Sequence, residues 1–182
     1  MMEGASSIDV SMLKGKKLLN MDSEEEGIML ASCAGGCSSR VTLKLDKNKV
    51  TGTKLSITLS GLTGGHSGVE IDKGRGNANV LMSRILRDVV ADNNVYLAAF
   101  NGGRKDNAIP RECMAEIIVA ADKAADVKAA IENTAKEIKE EFATSDADLK
   151  CVVDISEGCS TEAVTYEDSI RAVSLIQSLP NG

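Results

Sequence analysis

Tryptophan is absent from this 182-residue sequence and aromatic residues make up only 2% of it, so the chain offers no platform for stacking nucleobases. Positive charge is also in deficit. A net charge of −6 leaves no basic face for a phosphate backbone, and nucleic acid is excluded as a partner on both counts. No apolar run approaches the roughly 20 residues of a membrane span, and Met1-Met2-Glu3-Gly4 lacks the basic and apolar regions of a signal peptide. A cytoplasmic protein without a membrane partner is expected. There is a single histidine, His66, and no HxH or HExxH spacing, so a complete zinc site built from this chain alone is not expected. The five cysteines (Cys33, Cys37, Cys113, Cys151 and Cys159) are odd in number and contain no CxxC pair. That excludes a disulfide framework and a zinc ribbon, and reduced thiols packed as small apolar side chains are expected instead.

What remains is enough for one domain with a core of Val, Ile, Leu, Ala and Met, since 43% of the residues are apolar. Three short strands fit the broken pattern of the first fifty residues, at Lys17–Met21, Gly27–Ala31 and Arg40–Leu45. From Lys54 the pattern sharpens, with Leu55, Ile57 and Leu59 alternating with Ser56, Thr58 and Ser60 as in a half-buried strand. A glycine-rich loop, Gly61 to Gly76, leads to a helix over Asn77–Asp92, where Leu81, Ile85 and Val89 recur at helical spacing. Strands are predicted at Val95–Phe100 and Glu112–Ala120, then a second helix marked by Val127, Ile131, Ile138 and Phe142, then a strand through Leu149, Cys151, Val153 and Ile155. This order of strand, helix, strand, strand, helix, strand predicts an α+β, ferredoxin-like (split βαβ) antiparallel sheet with two helices on one face. A third helix, striped by Ile170, Val173, Ile176 and Leu179, is free to dock on the other face or elsewhere. It runs into Pro180-Asn181-Gly182, a turn that normally leads to a further element.

Three segments carry chemistry. Gly64-Gly65-His66-Ser67-Gly68 places an imidazole on a turn whose glycines permit positive φ and close approach. Two readings stay open on the residues alone: a loop histidine bonding a carbonyl, or a donor to a substrate oxygen or to charge developing in a transition state. Asp22-Ser23-Glu24-Glu25-Glu26 could lend a carboxylate to a metal, although a solvated acidic turn accounts for it more simply. In the loop from Asn101 to Pro110, Asn107 can both donate and accept, while Pro110 holds Ile109 extended. An ordinary hairpin-like connection explains that segment equally. Gly74-Arg75-Gly76, ahead of the first long helix, hints at an anion site. Cys33 and Cys37 are read as structural.

Taken in order, Leu18-Leu19-Asn20-Met21-Asp22-Ser23-Glu24-Glu25-Glu26-Gly27, Cys33-Ala34-Gly35-Gly36, Gly61-Leu62-Thr63-Gly64-Gly65-His66-Ser67-Gly68, Gly76-Asn77-Ala78-Asn79 and Asn107-Ala108-Ile109-Pro110-Arg111-Glu112 closely resemble the aminoacyl-histidine dipeptidase family, also called peptidase D or Xaa-His dipeptidase. The resemblance implies a dizinc exopeptidase whose catalytic domain is interrupted by a ferredoxin-like lid. Residues 1–50 would then be a catalytic-domain border segment and residues 51–182 part of the lid and dimerisation domain. It further implies that Asp22 is a zinc ligand in the full-length enzyme, reversing the preference for a solvated turn. His66 would stabilise the substrate carbonyl or tetrahedral intermediate, often in a neighbouring subunit's active site, and Asn107 would contact the dipeptide substrate. A homodimer through the lid is implied as well.

The family's two upstream zinc ligands, its paired glutamates and its distal histidine ligand have no counterpart here. Met2-Glu3-Gly4-Ala5 is similar to the stretch that follows the glutamate pair, so the resemblance implies a fragment that begins after the catalytic dyad and stops within the lid. The parent enzyme would hold two zinc ions and hydrolyse Xaa-His dipeptides, and the isolated chain is expected to be inactive. Two rival readings are a non-catalytic dimerisation or interaction module and a small-ligand regulatory domain on the same scaffold.

Overall fold

The computed structural model describes residues 7–17, 19, 21, 26–29, 31, 35–91 and 94–181. It divides into two compact units, Met1–Val41 and Thr42–Gly182. In the first, a 3-10 turn at Val10–Met12 is capped by Asp9, whose carboxylate accepts from the Ser11 N–H at 2.9 Å. Ile8, Met12, Leu19, Met21 and Met29 are exposed there. The expected strands at Lys17–Met21, Gly27–Ala31 and Arg40–Leu45 do not form among the described residues. The alternation of Val41, Leu43 and Leu45 meets no partner strand. The next residue, Asp46, donates its N–H to the Asp168 carboxylate, and its carbonyl accepts from the Thr165 N–H, so the backbone just before β1 is bonded to the start of a distant helix rather than to a strand.

The second unit contains the strands β1 (Lys47–Ser60), β2 (Gly65–His66), β3 (Tyr96–Gly102), β4 (Ala108–Ile109), β5 (Cys113–Val119) and β6 (Lys150–Val164), with helices α1 (Ala78–Val90), α2 (Ala124–Glu141) and α3 (Tyr166–Ser178). The main sheet has the order β3-β5-β1-β6 and every neighbouring pair is antiparallel. Numbered by its own four strands, this is 2-3-1-4, the ferredoxin-like arrangement predicted from the sequence. Sequence alternation sets the faces: Leu55, Ile57 and Leu59 are fully buried, while Lys54, Ser56, Thr58 and Ser60 are only half-buried on the opposite side. Leu59 lies between Cys113 on β5 and Cys151 on β6 in register. The thiols sit as packing groups, as expected, and burial pushes Cys113 up to about 12 and Cys151 up to about 11. Cys37 is exposed, and Cys33 lies outside the described residues.

α1 buries Leu81, Met82, Ile85, Leu86, Val89 and Val90 against the sheet, and α2 adds Val127, Ile131, Ala135 and Ile138. Each of these side chains except that of Ala135 contributes about 1.5–3 kcal/mol on leaving water. The third helix docks beside α1 on the same face rather than across the sheet. Ser169, Ala172 and Val173 are its contacts with the core. The Ser169 hydroxyl takes the Leu97 N–H at 2.8 Å and gives its proton to the Thr165 carbonyl, which locks α3 to β3. The opposite face carries no helix among the described residues, and Met114 and Val152 stand exposed on it. No helix of the described residues is long and apolar enough to cross a membrane.

Candidate functional site

β1 ends at Ser60 and the chain then crosses the top of the sheet as the Gly61–Gly76 loop. Within it β2 pairs with β4, so that His66 lies opposite Ala108 and Gly65 opposite Ile109. The Ser67 N–H donates to the Asn107 carbonyl at 3.1 Å. His66 on β2 and Asn107, the residue just before β4, are 41 positions apart in sequence yet are brought to the same end of one small ribbon, and both are exposed. The second loop is fixed in turn by the Ala78 N–H, which donates to the Pro110 carbonyl at 3.0 Å, and by the burial of Ile109.

The His66 ring is oriented by its own loop. Its Nδ1 accepts from the Gly68 N–H at 3.0 Å and from the Val69 N–H at 3.3 Å. An imidazole nitrogen that accepts carries no proton, so the neutral ring is the Nε2–H tautomer, with that N–H as its donor. Glu70 holds the backbone of the same turn. Its Oε2 accepts from the His66 N–H at 2.9 Å, while Oε1 pairs with Lys73 at 2.9 Å and Arg75 at 3.2 Å. The His66 N–H, with Lys73 and Arg75, holds the Glu70 carboxyl down to about 2. Arg75 also donates to the Gly64 carbonyl. Gly65 makes this packing possible: its φ is +146°, and a Cβ there would lie 2.5 Å from Arg75 Nη1 and 2.8 Å from Glu70 Oε2.

The segment Gly74-Arg75-Gly76, suggested as an anion site, has its arginine engaged within the loop. Arg75 is turned onto Gly64 and Glu70, and Asn77 caps α1 itself, its Oδ1 accepting from the N–H groups of Asn79 and Val80. Beside the two loops opens a cleft of about 570 Å³, lined among others by Ser67, Asn77, Asn79, Arg104 and Asp106. Ser67 adjoins His66, and Asp106 adjoins Asn107.

Asp146 escaped sequence reasoning. It is 1% exposed and accepts from the N–H groups of Thr63 and Gly76, at the two ends of the His66 loop. Burial pushes its carboxyl up, but those two donors, with the Ser145 and Thr63 hydroxyls, outweigh that and leave it below the ordinary value. Only its place within Ser145-Asp146-Ala147-Asp148, which reads as a solvated turn after a helix, was available in the sequence. Asp22 lies outside the described residues. Among the described residues no three His, Cys, Asp or Glu side chains gather to hold a metal ion.

Residues 57–146 match the peptidase dimerisation domain family of M20 peptidases. The chain is 40% identical to the cytosol non-specific dipeptidase of Escherichia coli (strain K12) over 184 aligned positions, which cover 100% of this chain and 38% of that protein. The aminoacylhistidine dipeptidase of Vibrio alginolyticus superposes with a TM-score of 0.71 at 27% identity, covering 77% of this chain and 29% of the other. The chain therefore spans well under half the length of either relative. Both relatives are peptidase hydrolases, and a metal cofactor is implied for enzymes of this kind. Residues 57–146 therefore make up a peptidase dimerisation domain of the M20 type.

Proposed function

We propose that this chain supplies the lid and dimerisation part of a cytoplasmic metallodipeptidase, with His66 as the donor to the substrate carbonyl and to the oxyanion that forms from it. Asn107 contacts the same dipeptide. The observation that carries the reading is that two backbone N–H groups donate to Nδ1, which leaves Nε2 to carry the proton of the neutral ring, and an N–H on an exposed turn suits a developing negative charge. Residues 1–50 are read as the border of the catalytic domain and residues 51–182 as part of the lid.

The cofactor is taken to be zinc, a pair of ions with Asp22 as one ligand, supplying Lewis-acid polarisation and an activated water. The described residues do not themselves form such a site, and no step assigned to His66 or Asn107 runs through it. Dipeptides are the substrate class. The names of the two relatives, one non-specific and one aminoacylhistidine, make Xaa-His dipeptides one part of the range to be assayed. A second copy of the chain is the partner, in keeping with the family's description as a dimerisation domain.

His66→Ala in the full-length enzyme carrying this segment tests the assignment. Turnover should fall by about two to three orders of magnitude, as for removal of one oxyanion donor, while the thermal midpoint stays close to that of the parent. Unchanged kcat sinks the role. The non-catalytic dimerisation module is the second reading, favoured by the same family match. It expects normal sedimentation as a dimer and no effect of His66→Ala on any dipeptide turnover.

A further inference from the structure

The two ends of the His66 loop are fastened by a side chain that no motif contains. Asp146 stands in the turn after α2, 83 residues beyond Thr63 and 70 beyond Gly76. Its Oδ1 accepts from the Thr63 N–H at 2.7 Å, and its Oδ2 accepts from the Gly76 N–H and the Ser145 hydroxyl, each at 2.8 Å. The Thr63 hydroxyl returns a bond to the Ser145 carbonyl at 2.7 Å. The turn that carries the carboxylate is itself rigid: the Asp146 N–H donates to the Phe142 carbonyl at 2.8 Å, and its carbonyl accepts from the Leu149 N–H at 2.9 Å. Gly76 allows the far stem to come this close, since a Cβ on it would lie 2.6 Å from Leu62 Cδ2 and 3.0 Å from Leu81 Cδ1.

We propose that Asp146 is a positioning residue for His66, gripping both stems of the Gly61–Gly76 loop with one carboxylate so that the imidazole is held at a fixed height above the sheet. The proposal rests on the reading of His66 as a transition-state donor. A carboxylate is suited to the task because it offers two acceptor oxygens and no donor. The corresponding amide would turn an N–H₂ group toward one of the two backbone N–H groups, break that arm of the grip and leave a buried donor without an acceptor. Glu70 and Arg75 shape the inside of the loop, whereas Asp146 fixes where the loop as a whole stands.

Asp146→Asn in the full-length enzyme tests this by a double-mutant cycle with His66→Ala. A donor displaced by a fraction of its working distance loses transition-state contact, so kcat should fall by about ten- to a hundredfold, with KM within about twofold of the parent. In the His66→Ala background the same substitution should cost no further turnover, because there is no longer a donor to misplace. Equal losses in both backgrounds overturn the proposal. A second measurement works on the 182-residue chain without any activity. Trypsin cleavage after Lys73, inside the loop, should accelerate by about tenfold or more in Asp146→Asn relative to cleavage after Lys105 in the same digest. No acceleration overturns the proposal whatever the enzyme assays give. If cleavage accelerates but His66→Ala leaves kcat intact, it is the catalytic reading of His66 that fails, and with it the positioning role. Should Asp146→Asn not fold, Ser145→Ala removes one donor from the same carboxylate and should speed cleavage after Lys73 several-fold; an unchanged rate is again fatal.

Discussion

Replacing Gly65 by alanine puts a methyl group into the space that the His66 turn uses to hold itself together. The backbone cost comes first: φ at this position is +146°, a region that L side chains rarely adopt, and forcing one there costs about 1–3 kcal/mol. The steric cost falls on two particular atoms. Arg75 Nη1 would lie 2.5 Å and Glu70 Oε2 2.8 Å from the new methyl carbon. Both belong to flexible side chains and can swing away, but Arg75 Nη1 is the donor to the Gly64 carbonyl and Glu70 Oε2 is the acceptor for the His66 N–H. Relieving the clash therefore releases the loop. The four-stranded sheet beneath it shares no bond with either atom, so the expected response is local opening rather than global unfolding. Strain of that size raises the open population about 5- to 150-fold. Amide hydrogen exchange reads it directly: the Gly68 and Val69 amides, which donate to His66 Nδ1, should exchange faster by a factor in that range, while those of Ile57 and Ile117 in the sheet hold their rates. Unchanged exchange at Gly68 and Val69, or equal acceleration of all four, refutes the account of the turn.

The Glu70 carboxyl, held down to about 2 from 4.5, makes the turn acid-labile in a defined window. A depressed carboxylate stabilises fully above its unfolded value and loses that contribution as pH falls through its folded one, so the grip on His66 weakens between pH 4.5 and about 2. The His66 amide proton shift, followed by NMR, should titrate with the lower midpoint; a transition centred on 4.5 is incompatible with the Lys73 and Arg75 pairing. Asn77→Ala removes the α1 cap and its bond to Asn181 and should cost about 1 kcal/mol in urea unfolding, within a range of roughly 0.5–2. An unchanged midpoint would show that the cap contributes nothing.

Periodicity made most of the second unit legible. The alternation of Leu55, Ile57 and Leu59 fixed a strand and its buried face, and the helical stripes of α1 and α2 have the residues that the core receives. It misled where an apolar pattern had no neighbour to pair with, as at Arg40–Leu45. It could not choose a side for α3, because a stripe shows that a helix buries one face and not which surface receives it. β6 ran on to Val164, well past the last alternating residue Ile155, since its outer half pairs with the start of β1 in a two-stranded ribbon with little apolar surface to display in sequence. The Gly64–Gly68 motif pointed to His66, yet the ring tautomer depends on Gly68 and Val69 amides whose directions only the folded turn defines.

The same difference separates His66 from the two carboxylates that bond to the backbone of its loop. A residue on an exposed turn is surrounded by its signature, because glycines flank it to let the chain turn. A residue that works by holding others is marked only by its partners, and those of Asp146 are backbone N–H groups, which every residue but proline possesses. Thr63 and Gly76 therefore carry no trace of it, and Asp146 reads as one more acid in a polar turn. Glu70 is intermediate: its partners Lys73 and Arg75 are close in sequence, and an acid four residues after His66 was there to be noticed. The loop's order thus rests on two carboxylates of opposite visibility, and the less visible one is the buried one, with both ends of the loop in its grip.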